Sequence, residues 1–224
     1  MLTICTLRPL ELRCRATLAR IPLRLLSPQP EGSLLDALPR RASNLLIDTV
    51  GMPPLQLASL LAQLQRRKER RTHGPAPILG AIVDQEDLAA RRLVALSPAV
   101  RMLVGDDLPW SQLAPWARQL HAIRPISQVF SLAVLPLPAL PLHPCFLTMV
   151  AALARAESMA EVAEHCAVSP ATMKRILSEA RRILHLPTGR EHRFLPSDLA
   201  EACLQALARQ DLDLPRSASP LKRT

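Results

Sequence analysis

The chain has 224 residues, 49% hydrophobic and 2% aromatic, so a core must be built from Leu, Ala, Val and Ile rather than from stacked rings. Lys and Arg number 28 against 19 Asp and Glu, and the net charge of +9 favours a polyanionic partner. No Walker loop, G-x-S-x-G, H-E-x-x-H or G-x-G-x-x-G occurs, and the six Gly are too scattered to cradle a phosphate, so neither an enzyme nor a bound cofactor is expected.

From the amino terminus, residues 2–7 read as a strand and residues 11–20 as a helix, with Leu12, Arg15, Ala16 and Ala19 on one side. Arg8, Glu11, Arg13 and Arg15 break the opening stretch before an h-region forms, so no signal peptide is expected. Residues 23–26 are strand-like again, and residues 33–38 form a short helix with Ser33 as N-cap. Residues 45–47 are a third apolar run. Leu57, Leu60, Leu61 and Leu64 then recur at helical spacing, and this helix runs into the basic stretch from Arg66 to Arg71. Strands over 78–83 and 100–104 alternate with helices over 86–96 and 109–121. Five strands alternating with five helices argue for an α/β fold with a parallel sheet.

The stretch 126–154 has no formally charged side chain and is long enough to span a bilayer. Pro136, Pro138, Pro141 and Pro144 interrupt it, so it is expected to be an extended linker rather than a membrane helix. Beyond it the strand signals stop. Residues 148–154, 159–166, 170–184 and 196–209 are helical in composition, with Pro170 and Pro196 at tolerated first-turn positions. The expected organisation is a sheet domain over 1–123, a Pro-rich linker over 124–143, a small all-α domain over 144–210 and a disordered basic tail over 211–224. Cys5, Cys14, Cys145, Cys166 and Cys203 are odd in number and hold no C-x-x-C pair, so they read as buried thiols with no metal site.

The most specific signal lies in residues 160–184. Val162, Ala163 and Cys166 share one face of a short helix, Val168 packs the turn, and Met173, Ile176, Leu177, Ala180 and Ile183 form the apolar stripe of the next helix. Ser169 is placed to cap that second helix. Ala171, Thr172, Lys174, Arg175 and Ser178 are then left on its outward, amino-terminal side, where a helix-turn-helix enters the major groove. Arg181 and Arg182 follow within reach of phosphates.

Here the chain resembles the LuxR-type helix-turn-helix of bacterial response regulators. Without a gap, Leu142, Pro144, Leu153, Ala154, Ser158, Glu161, Val162, Ala163, Val168, Ser169, Thr172, Met173, Lys174 and Ile183 stand where that family has the same or similar residues. Ala156 replaces a usual Gly, Cys145 and Phe146 replace a polar pair, and residues 188–195 lengthen the approach to the last helix. The resemblance implies double-stranded DNA as partner, a bacterial cytoplasmic location, and a homodimer joined through the last helix at Leu199, Cys203 and Leu207.

The resemblance also implies that the first half is a flavodoxin-like receiver domain. Residues 43–54 are similar to the third strand and following loop of receivers, and residues 102–113 to the fifth strand and last helix. Anchoring on Met52 and Pro53 places Thr49 at the phosphoacceptor position with Asp48 one residue early, on the opposite face. Thr6, Leu7 and Arg8 stand in place of the acidic pair, Ile82 in place of the hydroxyl and Gly105 in place of the Lys. The expected protein is therefore a phosphorylation-independent, response-regulator-like DNA-binding transcription factor. The alternative is a protein-binding adaptor or signalling module whose receiver-like and helical domains mediate protein contacts without binding DNA; in either reading a signalling protein could dock on the receiver-like surface. His165, Asp106 and Asp107 form no plausible catalytic group.

Overall fold

The computed structural model describes residues 2–18, 20, 23–27, 44–70, 78–98, 100–107, 109–111, 140–156, 158–187 and 195–209. In chain order the elements are β1 (Leu2–Cys5), α1 (Pro9–Leu18), β2 (Leu23–Leu26), β3 (Asn44–Asp48), α2 (Pro54–Arg70), β4 (Ile78–Val83), α3 (Leu88–Ala95) and β5 (Val100–Gly105). Four helices follow: α4 (Phe146–Leu153), α5 (Met159–His165), α6 (Pro170–Ile183) and α7 (Pro196–Ala208). The expected helix at 33–38, most of that at 109–121, most of the linker and the tail beyond 211 lie outside the described residues.

The five strands form one sheet, all parallel, in the order β2-β1-β3-β4-β5. Ile4 pairs with Leu25 on one side and Leu46 on the other, and Leu46 in turn pairs with Gly80. Ile4, Cys5, Leu45, Leu46, Ile47, Ala81, Val83 and Leu103 are all buried. Continuous apolar runs of this kind mark strands covered on both faces, and they explain why the pattern does not alternate. The strand order reverses between β1 and β3, and the carboxyl ends of those strands frame the crevice where such folds place their sites.

A further layer lies beyond the helices that cover the sheet. α2 buries Leu57, Ala58, Leu60, Leu61, Ala62 and Leu64, a wider stripe than one supporting surface requires. The reason is that α4 packs along α2, while α7 packs on α3 and α4. Buried side chains of the sheet layer and of the last four helices form one continuous apolar cluster, so the secondary structure changes near residue 144 without a gap in packing. Leu140 and Leu142, at the end of the expected linker, also pack against that cluster.

Polar contacts tie the same layers. Gln65 Nε2 donates to the Pro144 carbonyl at 3.3 Å, and Arg66 Nη2 donates to the His165 carbonyl at 2.8 Å, at the last residue of α5. Arg92, only 4% exposed, donates from Nη1 to the carbonyls of Leu207 and Arg209 and so satisfies the end of α7. Among the described residues, no helix is long and apolar enough to cross a membrane.

This packing corrects two expectations. Leu199, Cys203 and Leu207 are buried within the chain itself, because α7 folds back onto α3 and α4, so they are not presented to a second copy. The cysteines are not uniformly buried either: Cys5 and Cys203 are, whereas Cys14 is exposed and Cys145 and Cys166 are half-buried.

Candidate functional site

Two places gather chemistry-bearing side chains: the outward face of α6 and the carboxyl ends of β1, β3 and β5.

The α5–α6 pair is built by local rules. Ser158 caps α5 by accepting from the Glu161 N–H at 3.3 Å. At the other end Ala167 adopts a left-handed conformation with φ of 53°. The Ala167 N–H then bonds the Glu164 carbonyl at 2.9 Å and the Val168 N–H bonds the Ala163 carbonyl at 3.1 Å, which closes α5 in a Schellman turn. Ser169 caps α6, accepting from the Thr172 N–H at 3.1 Å, and Pro170 opens the helix.

Met173, Ile176 and Ala180 are buried, and Leu177 and Val168 pack against them from the rim. Ser169, Ala171, Lys174, Arg175, Ser178 and Arg182 are exposed. Thr172 is half-buried, and its hydroxyl is bonded to that of Ser169 at 2.9 Å, so it serves the cap first. Arg181 departs from the expected outward set. It is half-buried with its Nε enclosed, and its charge bears on Cys203 of α7.

At the strand ends, Asp48 is fully buried. Its Oδ2 accepts from the Thr6 hydroxyl at 2.6 Å and from Arg8 Nε at 2.8 Å, while Oδ1 accepts from Arg8 Nη2 at 2.8 Å. The far side of the same guanidinium meets Asp106, with Nη1 donating to Oδ2 at 3.1 Å and Nη2 to Oδ1. Arg15 Nη1 adds bonds to the Asp106 carbonyl at 3.0 Å and to Oδ1 at 3.2 Å. Glu11 pairs with both Arg8 and Arg15.

One cation is therefore clamped between two carboxylates. Burial opposes the Arg8 charge, but its bonds to Asp48 and Asp106 outweigh that and hold its pKa above the ordinary value. The Arg8 bond in turn lowers the Asp106 pKa, against the opposing effect of burial. An open cleft of about 440 Å³, lined by Arg15, Leu18, Asp106, Asp107 and Trp110, adjoins the cluster.

Two further readings of the sequence change here. Thr49, placed at the acceptor position by the spacing to Met52 and Pro53, is buried with its hydroxyl donating to the Ile82 carbonyl at 3.0 Å. Asp48, expected on the opposite face, is the residue that enters the cluster, because β3 ends at Asp48 and its carboxylate turns toward Thr6 and Arg8. Asp106, set aside with Asp107 in the sequence, is the third member. Gly105 leaves room for Asp107, whose carboxylate occupies the space that a Cβ would take and accepts from Gln85 Nε2 at 3.0 Å. A Lys at 105 would have to displace it. Among the described residues, no group of three or more His, Cys, Asp or Glu is placed to hold a metal ion.

Fold and sites together define an α/β protein with a five-stranded parallel sheet, an arginine-bridged carboxylate pair at its switch point, and a capped helix pair carrying a basic face. Compared with protein-family models, curated proteins and solved structures, the chain has no match.

Proposed function

We propose that the chain is a transcription regulator that binds duplex DNA through the outward face of α6. We further propose that its receiver-like sheet works without phosphorylation. The observation that carries the first reading is the α5–α6 pair, in which a Schellman turn and a Ser169 cap set two short helices across one apolar seam. Lys174, Arg175, Ser178 and Arg182 are exposed on the second helix. A helix presented by its amino-terminal half fits the major groove, where Lys174 and Arg175 reach base edges and Arg182 reaches phosphate.

The second reading rests on charge. A receiver holds a divalent cation with carboxylates at the end of its first strand and pairs the phosphoryl group with a Lys at the end of its fifth; here Arg8 follows β1 and Asp106 follows β5. The positive charge comes from the chain itself, and both Asp48 oxygens are already bonded. An incoming phosphoryl group would have to break that bridge. Titration of the full chain against labelled duplex DNA at increasing salt tests the DNA reading. Binding that weakens steeply supports it, and absent or salt-insensitive binding overturns it.

The adaptor reading has its own observation. Leu10 and Leu18 of α1 are 76% and 87% exposed, and Leu18 borders the cleft beside Asp106, a surface suited to a signalling protein. In the adaptor reading α6 binds no DNA, so the same salt titration separates the two. A homodimer, if formed, would use a surface other than the buried stripe of α7.

A further inference from the structure

Packing fixes which side of α6 faces outward. Met173, Ile176 and Ala180 are buried, and the Ser169 cap and the turn at Ala167 hold the amino end. Ala171, Lys174, Arg175, Ser178 and Arg182 are exposed at i, i+3, i+4, i+7 and i+11 spacing, so they form one stripe about three turns long. Ala171 and Ser178 are small and lie along its middle, with Lys174 on one flank and Arg175 on the other. The stripe therefore lets the backbone come close to a groove floor while presenting two long donors, and neither of those side chains can accept a hydrogen bond. Glu179, exposed at i+4 from Arg175, is spaced to pair with that guanidinium, and its charge turns the pair away from phosphate and toward base edges.

We propose that α6 selects a half-site of two guanines and a neighbouring thymine, with Lys174 and Arg175 each taking the major-groove edge of one guanine and Ala171 the thymine methyl group. The assignment rests on the DNA reading of α6 and deepens it to a base preference. Guanine alone among the four bases offers two acceptors, N7 and O6, on its major-groove edge. A donor-only side chain gains two bonds there and one at adenine N7 or thymine O4, while the cytosine amine meets it donor to donor. α6 contains no Asn or Gln, the side chains that match the acceptor and donor pair of adenine.

Ala171 sits one helical turn, ~5.4 Å, before Lys174 and Arg175, a span of one or two base-pair steps of ~3.4 Å. The thymine C5-methyl is the apolar group that the major groove offers to an alanine methyl, so the thymine falls within two base pairs of a guanine. Arg182, two turns beyond Arg175, reaches past the bases to phosphate. Base reading and phosphate contact differ in their signatures. Loss of a two-bond guanine contact weakens binding roughly tenfold at one base pair, whereas loss of a phosphate contact weakens all sequences alike and lowers the salt slope by about one.

The test selects duplexes from a randomised pool with the full chain and measures affinity for the selected duplex and its single-base variants. Adenine in place of either guanine is expected to weaken binding about tenfold, and uracil in place of the thymine about fourfold. Lys174→Ala and Arg175→Ala should each abolish the preference at one guanine and keep the salt slope, while Arg182→Ala should weaken every duplex alike and keep both preferences. Selected sites with the guanines but no thymine would overturn the role of Ala171. Duplex binding that selects no guanine, or Lys174→Ala and Arg175→Ala variants that weaken every duplex equally, would overturn the base preference and leave the DNA reading standing. Absence of duplex binding at any salt would overturn both.

Discussion

Arg8 grips Asp48 with a two-pronged bond, Nε to Oδ2 and Nη2 to Oδ1 at 2.8 Å each, across 40 residues of chain. Asp48 is inaccessible to solvent, so loss of its partner leaves a buried charge supported, among the described residues, by the Thr6 hydroxyl and the Val50 N–H. Arg8→Ala is expected to destabilise the protein by about 3–5 kcal/mol, measured by urea unfolding. Arg8→Met combined with Asp48→Leu should recover most of that loss, because no charge then remains buried. A single Arg8→Ala variant as stable as the parent would remove the bridge from any structural role.

The same bridge predicts inertness toward phosphodonors. Treatment with acetyl phosphate and Mg²⁺ should leave the intact mass and the DNA affinity unchanged, since Asp48 has no free oxygen and Arg8 excludes a second cation. A mass increase of one phosphate mapping to Asp48, abolished by Asp48→Asn, would instead restore a conventional phosphorelay.

Acid should loosen the cluster from the Asp106 side. Its ordinary pKa of 3.8 is lowered in the fold, chiefly by the Arg8 bond, so below that value the unfolded chain binds the proton more readily. This contribution is fully present above pH 4 and is lost as pH falls through the folded-state value. Thermal unfolding followed from pH 6 to pH 2.5 should show the decline, and Asp106→Asn should flatten it. An identical profile in the variant would show that Asp106 takes no part in acid sensitivity.

On α6, replacement of both Lys174 and Arg175 by Ala should weaken duplex binding by about 1–3 kcal/mol for each side chain that meets a base, and by less where it meets only phosphate. Arg181→Ala should cost little binding, because that side chain is half-buried toward α7. If the double variant binds like the parent, α6 is not the reading helix.

At the turn, Ala167 holds a φ of 53°, a conformation that costs a residue with a Cβ about 1–2 kcal/mol. Ala167→Gly relieves that cost while adding freedom to the unfolded chain, so a net gain of about 0.5–1 kcal/mol in chemical denaturation is expected. A loss of stability would mean that the Ala167 methyl makes contacts worth more than the strain.

Much of the chain was legible from local chemistry alone. Leu57, Leu60, Leu61 and Leu64 announced α2 by their spacing, the apolar runs announced all five strands, and Ser169 before Pro170 announced the start of α6, because caps and periodicity act over a few residues. Thr6, Arg8, Asp48 and Asp106 carry no such signal. Their relation depends on strand order and on where β3 ends, and a displacement of one residue was enough to exchange Asp48 with Thr49 in the sequence reading. The burial of Leu199, Cys203 and Leu207 was likewise decided by tertiary packing: an apolar stripe on a helix specifies that it will be covered, since apolar burial is non-directional, but not by which surface. Only the folded arrangement, with Arg92 closing the end of α7, selected the chain's own helices as that surface.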